Sequence, residues 1–157
     1  MFERCFSERA QRVLARALAE CDAFHHSYFD TEHVLLGLLT EQSSASLFLN
    51  EIGISIDSAR YQLERMIGRG REDPRDSLPI GNEARRVLAM GVREARADGY
   101  VRAEPIHVLR GLLRHRLLRQ PFHDEVYSWS GATLVLRDLG IRNFRQAYAR
   151  ALEVQAS

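Results

Sequence analysis

His33-Val34-Leu35-Leu36-Gly37-Leu38-Leu39 and His107-Val108-Leu109-Arg110-Gly111-Leu112-Leu113 are one pattern written twice, 74 residues apart. The same shift lays Ala10, Arg12, Val13, Leu14, Ala15, Glu20 and Ala23 on Ala84, Arg86, Val87, Leu88, Ala89, Glu94 and Ala97 without a gap. Beyond Leu39 the register slips. Ala45, Leu47, Leu49, Gly53 and Ile54 fall on Ala132, Leu134, Leu136, Gly140 and Ile141 at a shift of 87, so the second copy carries 13 extra residues, the difference between the two shifts. Internal repetition decides the architecture before any local propensity does. The 157-residue chain reads as a single domain over 1–157, with repeat one at 1–67, a linker at 68–79 and repeat two at 80–152. The linker is rich in Gly, Pro and charge, with nothing to bury, and is expected to be solvated.

Each copy predicts four helices. Val13, Leu14, Ala17, Leu18 and Cys21 recur at helical spacing, and Val87, Leu88, Val92 and Ala95 repeat that face. Ser7 is placed to cap the first helix, and Thr31-Glu32 to start the second. Pro105 takes the matching first-turn position in the other copy. Gly37 and Gly111 fall inside helices, where glycine costs about 1 kcal/mol relative to alanine. A close helix–helix approach at both places would explain them. Gly53 and Gly140 are expected to end the third helices. Ala59, Leu63, Met66 and Ile67 line the fourth helix, as Phe144, Ala147, Tyr148 and Ala151 line the eighth. No alternating window reads as a strand. The fold class is therefore all-α, an eight-helix pseudo-twofold domain made of two tandem four-helix repeats.

Composition narrows the function. No apolar stretch approaches the ~20 residues of a membrane span, and the N-terminus lacks the apolar core of a signal peptide. Cys5 and Cys21 give neither a disulfide framework nor a metal spacing, so a reduced cytosol is the expected setting. All 22 basic residues are arginine. Codon bias explains this, and so does avoidance of lysine-directed tagging. A Gly-x-x-x-x-Gly-Lys-Ser/Thr phosphate loop cannot exist without lysine. Neither a nucleophile elbow nor a metal-ligand spacing is present, so no enzyme activity, metal or cofactor is expected. His33 and His107, at equivalent helix starts, read as structural hydrogen-bonding residues.

The run Met1-Phe2-Glu3-Arg4, then Ser7-Glu8-Arg9-Ala10-Gln11-Arg12-Val13, then Thr31-Glu32-His33-Val34-Leu35-Leu36-Gly37, resembles the N-terminal repeat domain of the ClpC and ClpA unfoldases. The second copy extends that resemblance to about residue 152. The family implies a non-catalytic docking module for protein substrates, adaptor proteins and other Clp protease components. Here it would be a stand-alone form without the ATPase, acting as accessory, decoy or regulator.

The resemblance also implies site residues. Glu32 stands where the family pairs a carboxylate with the guanidinium of arginine-phosphorylated proteins, but the equivalent position in copy two is Ile106. Where the family opens copy two with a threonine and a lysine-rich run, this chain has Gly81-Asn82-Glu83-Ala84-Arg85-Arg86-Val87. Arg85 could replace a phosphate-binding lysine, while the hydroxyl is gone. A groove for apolar peptides or cyclic-peptide antibiotics is implied at Phe2, Val13, Ile80 and Arg85. The extra residues within His115–Gly131 bring Pro121, Phe122, Tyr127 and Trp129, suited either to an interface or to the copy's own core. The alternative function class, a helical nucleic-acid-binding regulator, has only its arginines in its favour, including Arg110, Arg114, Arg116 and Arg119. A solvated helix face explains those equally well, and a net charge of +1 speaks against it.

Overall fold

The computed structural model describes residues 2–71, 79–118 and 130–157. After a short 3-10 turn at Phe2–Cys5 come α1 (Glu8–Ala23), α2 (Thr31–Thr40), α3 (Ser44–Glu51) and α4 (Ile56–Met66). The second copy supplies α5 (Asn82–Ala97), α6 (Pro105–Leu118), α7 (Gly131–Asp138) and α8 (Phe144–Leu152). Among the described residues there is no strand, only two isolated backbone bridges. The all-α, eight-helix tandem repeat expected from the sequence is the fold observed.

The glycines explain how each copy closes. A β-carbon on Gly37 would lie 2.9 Å from Ala17 Cβ, and one on Gly111 would lie 2.5 Å from the Val87 carbonyl and 2.6 Å from Gly91 N. α2 thus lies directly on α1, and α6 directly on α5, with backbone against backbone. Gly53 and Gly140 leave α3 and α7 at φ +92° and +114°, the left-handed region that glycine enters without strain.

The two bridges reveal how the copies join. Ser7 N–H donates to Ala103 O at 2.9 Å and Ala103 N–H to Cys5 O at 2.7 Å. Gly81 N–H donates to Phe29 O at 2.7 Å and Phe29 N–H to Pro79 O at 2.9 Å. A shift of 74 turns one pair of bonds into the other. Each copy's lead-in pairs with the other copy's loop between its first two helices, which is a pseudo-twofold clasp. One apolar cluster then runs through both copies, from Phe6 and Ala10 to Ala147 and Ala151. α2 packs on α7, α3 on α6 and α4 on α7, so each copy's later helices cover the other copy's core.

Four sequence expectations change here. Leu18 is 42% exposed and Ile67 51%, so the buried stripes of α1 and α4 are narrower than the apolar pattern. The cap of α2 is Asp30, with Thr31 as the first helical residue. The start of the linker is held to copy one, although Arg69 and Arg71 stay exposed: Gly70 N–H donates to Phe24 O at 2.8 Å and Arg69 to Ala23 O at 3.1 Å. The arginines of α6 are structural. Arg110 is buried, donates to the carbonyls of Ala151 and Leu152 and pairs with Asp98, while Arg114 pairs with Glu94. Arg116 is buried as well, so among the described residues this stripe offers nucleic acid no continuous basic face. Arg119, Pro121, Phe122, Tyr127 and Trp129 lie outside the described residues.

Candidate functional site

The loop between α1 and α2 organises the region in which Glu32 sits. His33 is buried and completes the cap of α2: Asp30 N–H donates to His33 Nδ1 at 3.0 Å. Copy two repeats the bond, with Glu104 N–H donating to His107 Nδ1 at 2.9 Å. The structural role expected of both histidines is the one observed. A backbone N–H can only donate, so Nδ1 of each ring is an acceptor and its proton sits on Nε2. Burial, then the neighbouring His26, pushes the pKa of His33 down to about 3, and burial lowers that of His107 too.

Asp30 does more than cap its own helix. Its Oδ1 accepts from Thr31 N–H at 2.9 Å and from Ala84 N–H in the first turn of α5 at 3.0 Å. The cap position of α5 is Gly81, which has no side chain to cap with, and a β-carbon there would lie 2.6 Å from Asp30 Cγ. In copy one, Ser7 caps α1 itself at Ala10 N–H and donates its hydroxyl to Glu104 at 2.8 Å. The absence of a hydroxyl at position 81 is therefore matched by a carboxylate that occupies its place. Burial pushes the Asp30 pKa up.

Glu32 follows on the same turn. Its carboxyl is held against the start of α7, where a β-carbon on Gly131 would lie 2.9 Å from Glu32 Cδ, and the neighbouring Thr31 Oγ1 accepts from Ala132 N–H at 3.1 Å. Burial raises the Glu32 pKa to about 7. The side chain is not sealed off. It forms part of the wall of an open cleft of about 340 Å³ whose other walls include His25, His26, Tyr28, Arg69 and Arg71. A carboxyl on the wall with two guanidiniums on the same cleft can receive a group that carries both donors and negative charge. In copy two Ile106 takes the equivalent place and is fully buried.

The other implied site residues differ in exposure. Val13 is fully buried beneath α2 and offers a ligand no surface in this structure, because it lies on the inner face of α1 where Gly37 closes on it. Ile80 is 43% exposed on the lead-in to α5, and Arg85 is exposed on its first turn. Phe2 belongs to the opening 3-10 turn, and its side chain lies outside the described residues. Sequence reasoning missed Asp30, His26, Arg69 and Arg71. Only Asp30 carried a local signal, as an aspartate immediately before the helix with His33 three residues on.

A second open cleft, about 530 Å³, runs between α1 and α4 and includes Phe24, Tyr61 and the paired Arg60 and Glu20. Tyr61 is 65% exposed. In copy two Tyr148, the match of Tyr61 at the shift of 87, instead donates its hydroxyl to Glu94 at 2.7 Å. Among the described residues no cluster of three or more His, Cys, Asp or Glu could hold a metal ion, and no helix is long and apolar enough to cross a membrane. Cys21 is fully buried, its thiol pushed up to about 12 chiefly by burial.

Residues 5–120 match the family described as the Clp repeat (R) N-terminal domain. The chloroplastic chaperone ClpC1 of Arabidopsis thaliana is 38% identical over 115 residues, 73% of this chain and 12% of ClpC1, so the chain spans a small fraction of the curated relatives it matches. The crystal structure of the N-terminal domain of ClpD from Arabidopsis thaliana is 27% identical, covers 97% of each chain and superposes with a TM-score of 0.68. A complex of the ClpV N-domain with a VipB peptide shares the fold at 15% identity, with a TM-score of 0.61 over 96% of this chain and 89% of the ClpV domain.

Proposed function

We propose that this chain, which belongs to the Clp repeat N-terminal domain family, is a non-catalytic protein-docking module that binds arginine-phosphorylated segments at the cleft beside Glu32. The observation that carries the reading is the pairing of a nearly buried carboxyl with Arg69 and Arg71 on one open cleft. The guanidine N–H groups of a phosphoarginine donate to the Glu32 carboxylate, and its phosphoryl oxygens accept from the arginines. The absence of a carboxylate at Ile106 limits the protein to one such site. The module serves a Clp unfoldase by presenting or withholding the bound segment. That a domain of this fold has been captured with a peptide, the ClpV N-domain with VipB, is in keeping with a docking role. The buried Val13 gives a cyclic-peptide groove no comparable support.

Isothermal titration with a phosphoarginine peptide tests the proposal, with the unmodified arginine peptide and a phosphoserine peptide as controls. The expected result is saturable binding of the first alone, abolished by Glu32→Ala and unchanged by Ile106→Ala. Because burial holds the Glu32 pKa at about 7 and the guanidine group selects the carboxylate, affinity rises as pH rises through about 7, and binding below that pH releases protons. A native protein that binds none of the three peptides overturns the reading.

A further inference from the structure

The hydrogen bonds around His26 admit one arrangement of protons. His33 Nδ1 accepts from Asp30 N–H, so His33 Nε2 carries the proton it donates to His26 Nδ1, 2.8 Å away. His26 Nδ1 is then an acceptor, and His26 Nε2–H donates to Gly68 O at 2.8 Å. Both rings are neutral, and together they tie the cap of α2 to the segment that leaves α4. From this geometry we infer that His26 is a pH-sensitive latch that holds Gly68–Arg71 against the α1–α2 loop and lets go when the pair takes up one proton. A proton on either acceptor nitrogen sets N–H against N–H or removes the cap of α2. A proton on His26 Nδ1 breaks the 2.8 Å link between the rings.

The groups facing His26 come from every side. Glu32 on α2 favours the added charge only while it is ionised, above about pH 7, and Arg69 and Arg71 on the adjoining segment oppose it; all three share its cleft. Arg69 is itself paired with Glu64, and its guanidinium lies 5.0 Å above the Phe24 ring on which His26 stacks. His25 is the next residue on the loop, held at φ +56°. The Cys21 thiol beneath points to the His26 and Tyr28 carbonyls and stays neutral. A new positive charge beside Arg69 and Arg71 thus weakens the docking in the same step that breaks the hydrogen bond. Copy two is an internal control. Tyr100 occupies the place of His26 and makes the same edge contact with His107, 4.9 Å between centroids against 5.0 Å, but has no basic nitrogen. The latch belongs to copy one alone, and it stands whether or not the cleft takes phosphoarginine.

Nitrogen-15 spectra of the histidine rings in the full chain test the assignment. At about pH 7.5 both His26 and His33 are expected as Nε2–H tautomers. Amide hydrogen exchange then tests the latch. Between about pH 7.5 and about pH 5, protection of the Gly70 amide, corrected for the intrinsic pH dependence of exchange, falls by roughly tenfold, while that of Ala103 holds. In His26→Gln the side-chain carbonyl accepts from His33 and the amide donates to Gly68 O, so the fall disappears. A proton on His26 Nδ1 at the higher pH overturns the inference on the unaltered protein. An identical Gly70 profile in the glutamine variant overturns it independently.

Discussion

Replacing Asp30 by alanine removes one acceptor shared by two helix N-termini, those of α2 and α5, which belong to different copies. A lost side-chain cap costs about 1 kcal/mol, so Asp30→Ala is expected to cost about 2 kcal/mol. For a chain of this size that is a fall in melting temperature of about 4–8 °C. Ser7→Ala, at the equivalent joint of copy one, removes one cap and should cost about half as much. The sharper test is the sign of a second substitution. In the native background Gly81→Ser evicts the Asp30 carboxyl, losing two caps for one gained, a net loss of about 1 kcal/mol. In the Asp30→Ala background the collision is gone. The introduced serine is then free to cap α5 as Ser7 caps α1, and the same change returns about 1 kcal/mol. Urea unfolding of the four proteins closes the cycle, with an expected coupling of about 2 kcal/mol between positions 30 and 81. Equal effects of Gly81→Ser in both backgrounds would refute the shared cap.

Gly37→Ala and Gly111→Ala each gain about 1 kcal/mol of helix propensity but force two backbones apart, so both are expected to lose stability overall, by about 1–2 kcal/mol in the same denaturation assay. The capping histidines make the fold acid-sensitive. Their folded pKa values lie below the unfolded value of about 6.5, so the native state binds fewer protons than the unfolded one, and their contribution is lost as pH falls from about 6.5 toward the His33 value of about 3. Urea midpoints measured across that range follow it. Glu32 has the opposite sign. Its folded pKa of about 7 lies above the unfolded value of 4.5, so its stabilising share fades as pH rises between the two. Glu32→Gln should therefore be more stable than the native protein at about pH 8, with the gain gone below about pH 4.5, as melting curves at the two values will show.

The parts of the fold that repeat were legible because a repeat prints each packing solution twice. Gly37 with Gly111, Gly53 with Gly140 and His33 with His107 could be interpreted in pairs, and each pair does one physical job in both copies. What stayed hidden was whatever crosses between distant segments. Gly68-Arg69-Gly70-Arg71 has the composition of a solvated linker, and only the fold brings it under His26 and Phe24. Asp30 does not stand out from Thr31 in the sequence because its second partner, Ala84, sits 54 residues away. The resemblance implies a groove at Val13, whereas its position on the inner stripe of α1 puts it in the core.

The departures from symmetry are where the chemistry differs between the copies, and they fall on one side. Copy one has Glu32 where copy two has the buried Ile106, and His26 where copy two has Tyr100. Copy one leaves Tyr61 exposed beside an open cleft, while its counterpart Tyr148 is spent on Glu94, which Arg114 also holds. Copy two ties its own polar residues to its helices: Arg110, where copy one has the buried Leu36, to the α8 carbonyls and Asp98, and the half-exposed Arg114 to Glu94. Each of these contacts fixes α5, α6 and α8 to one another, and the lead-in of copy two in turn pins the α1–α2 loop through Phe29 and Asp30. A duplicated domain that needed two equal sites would keep both sets of polar residues at the surface. Here the clasp is reciprocal, but only the loop held by copy two's lead-in borders the Glu32 cleft.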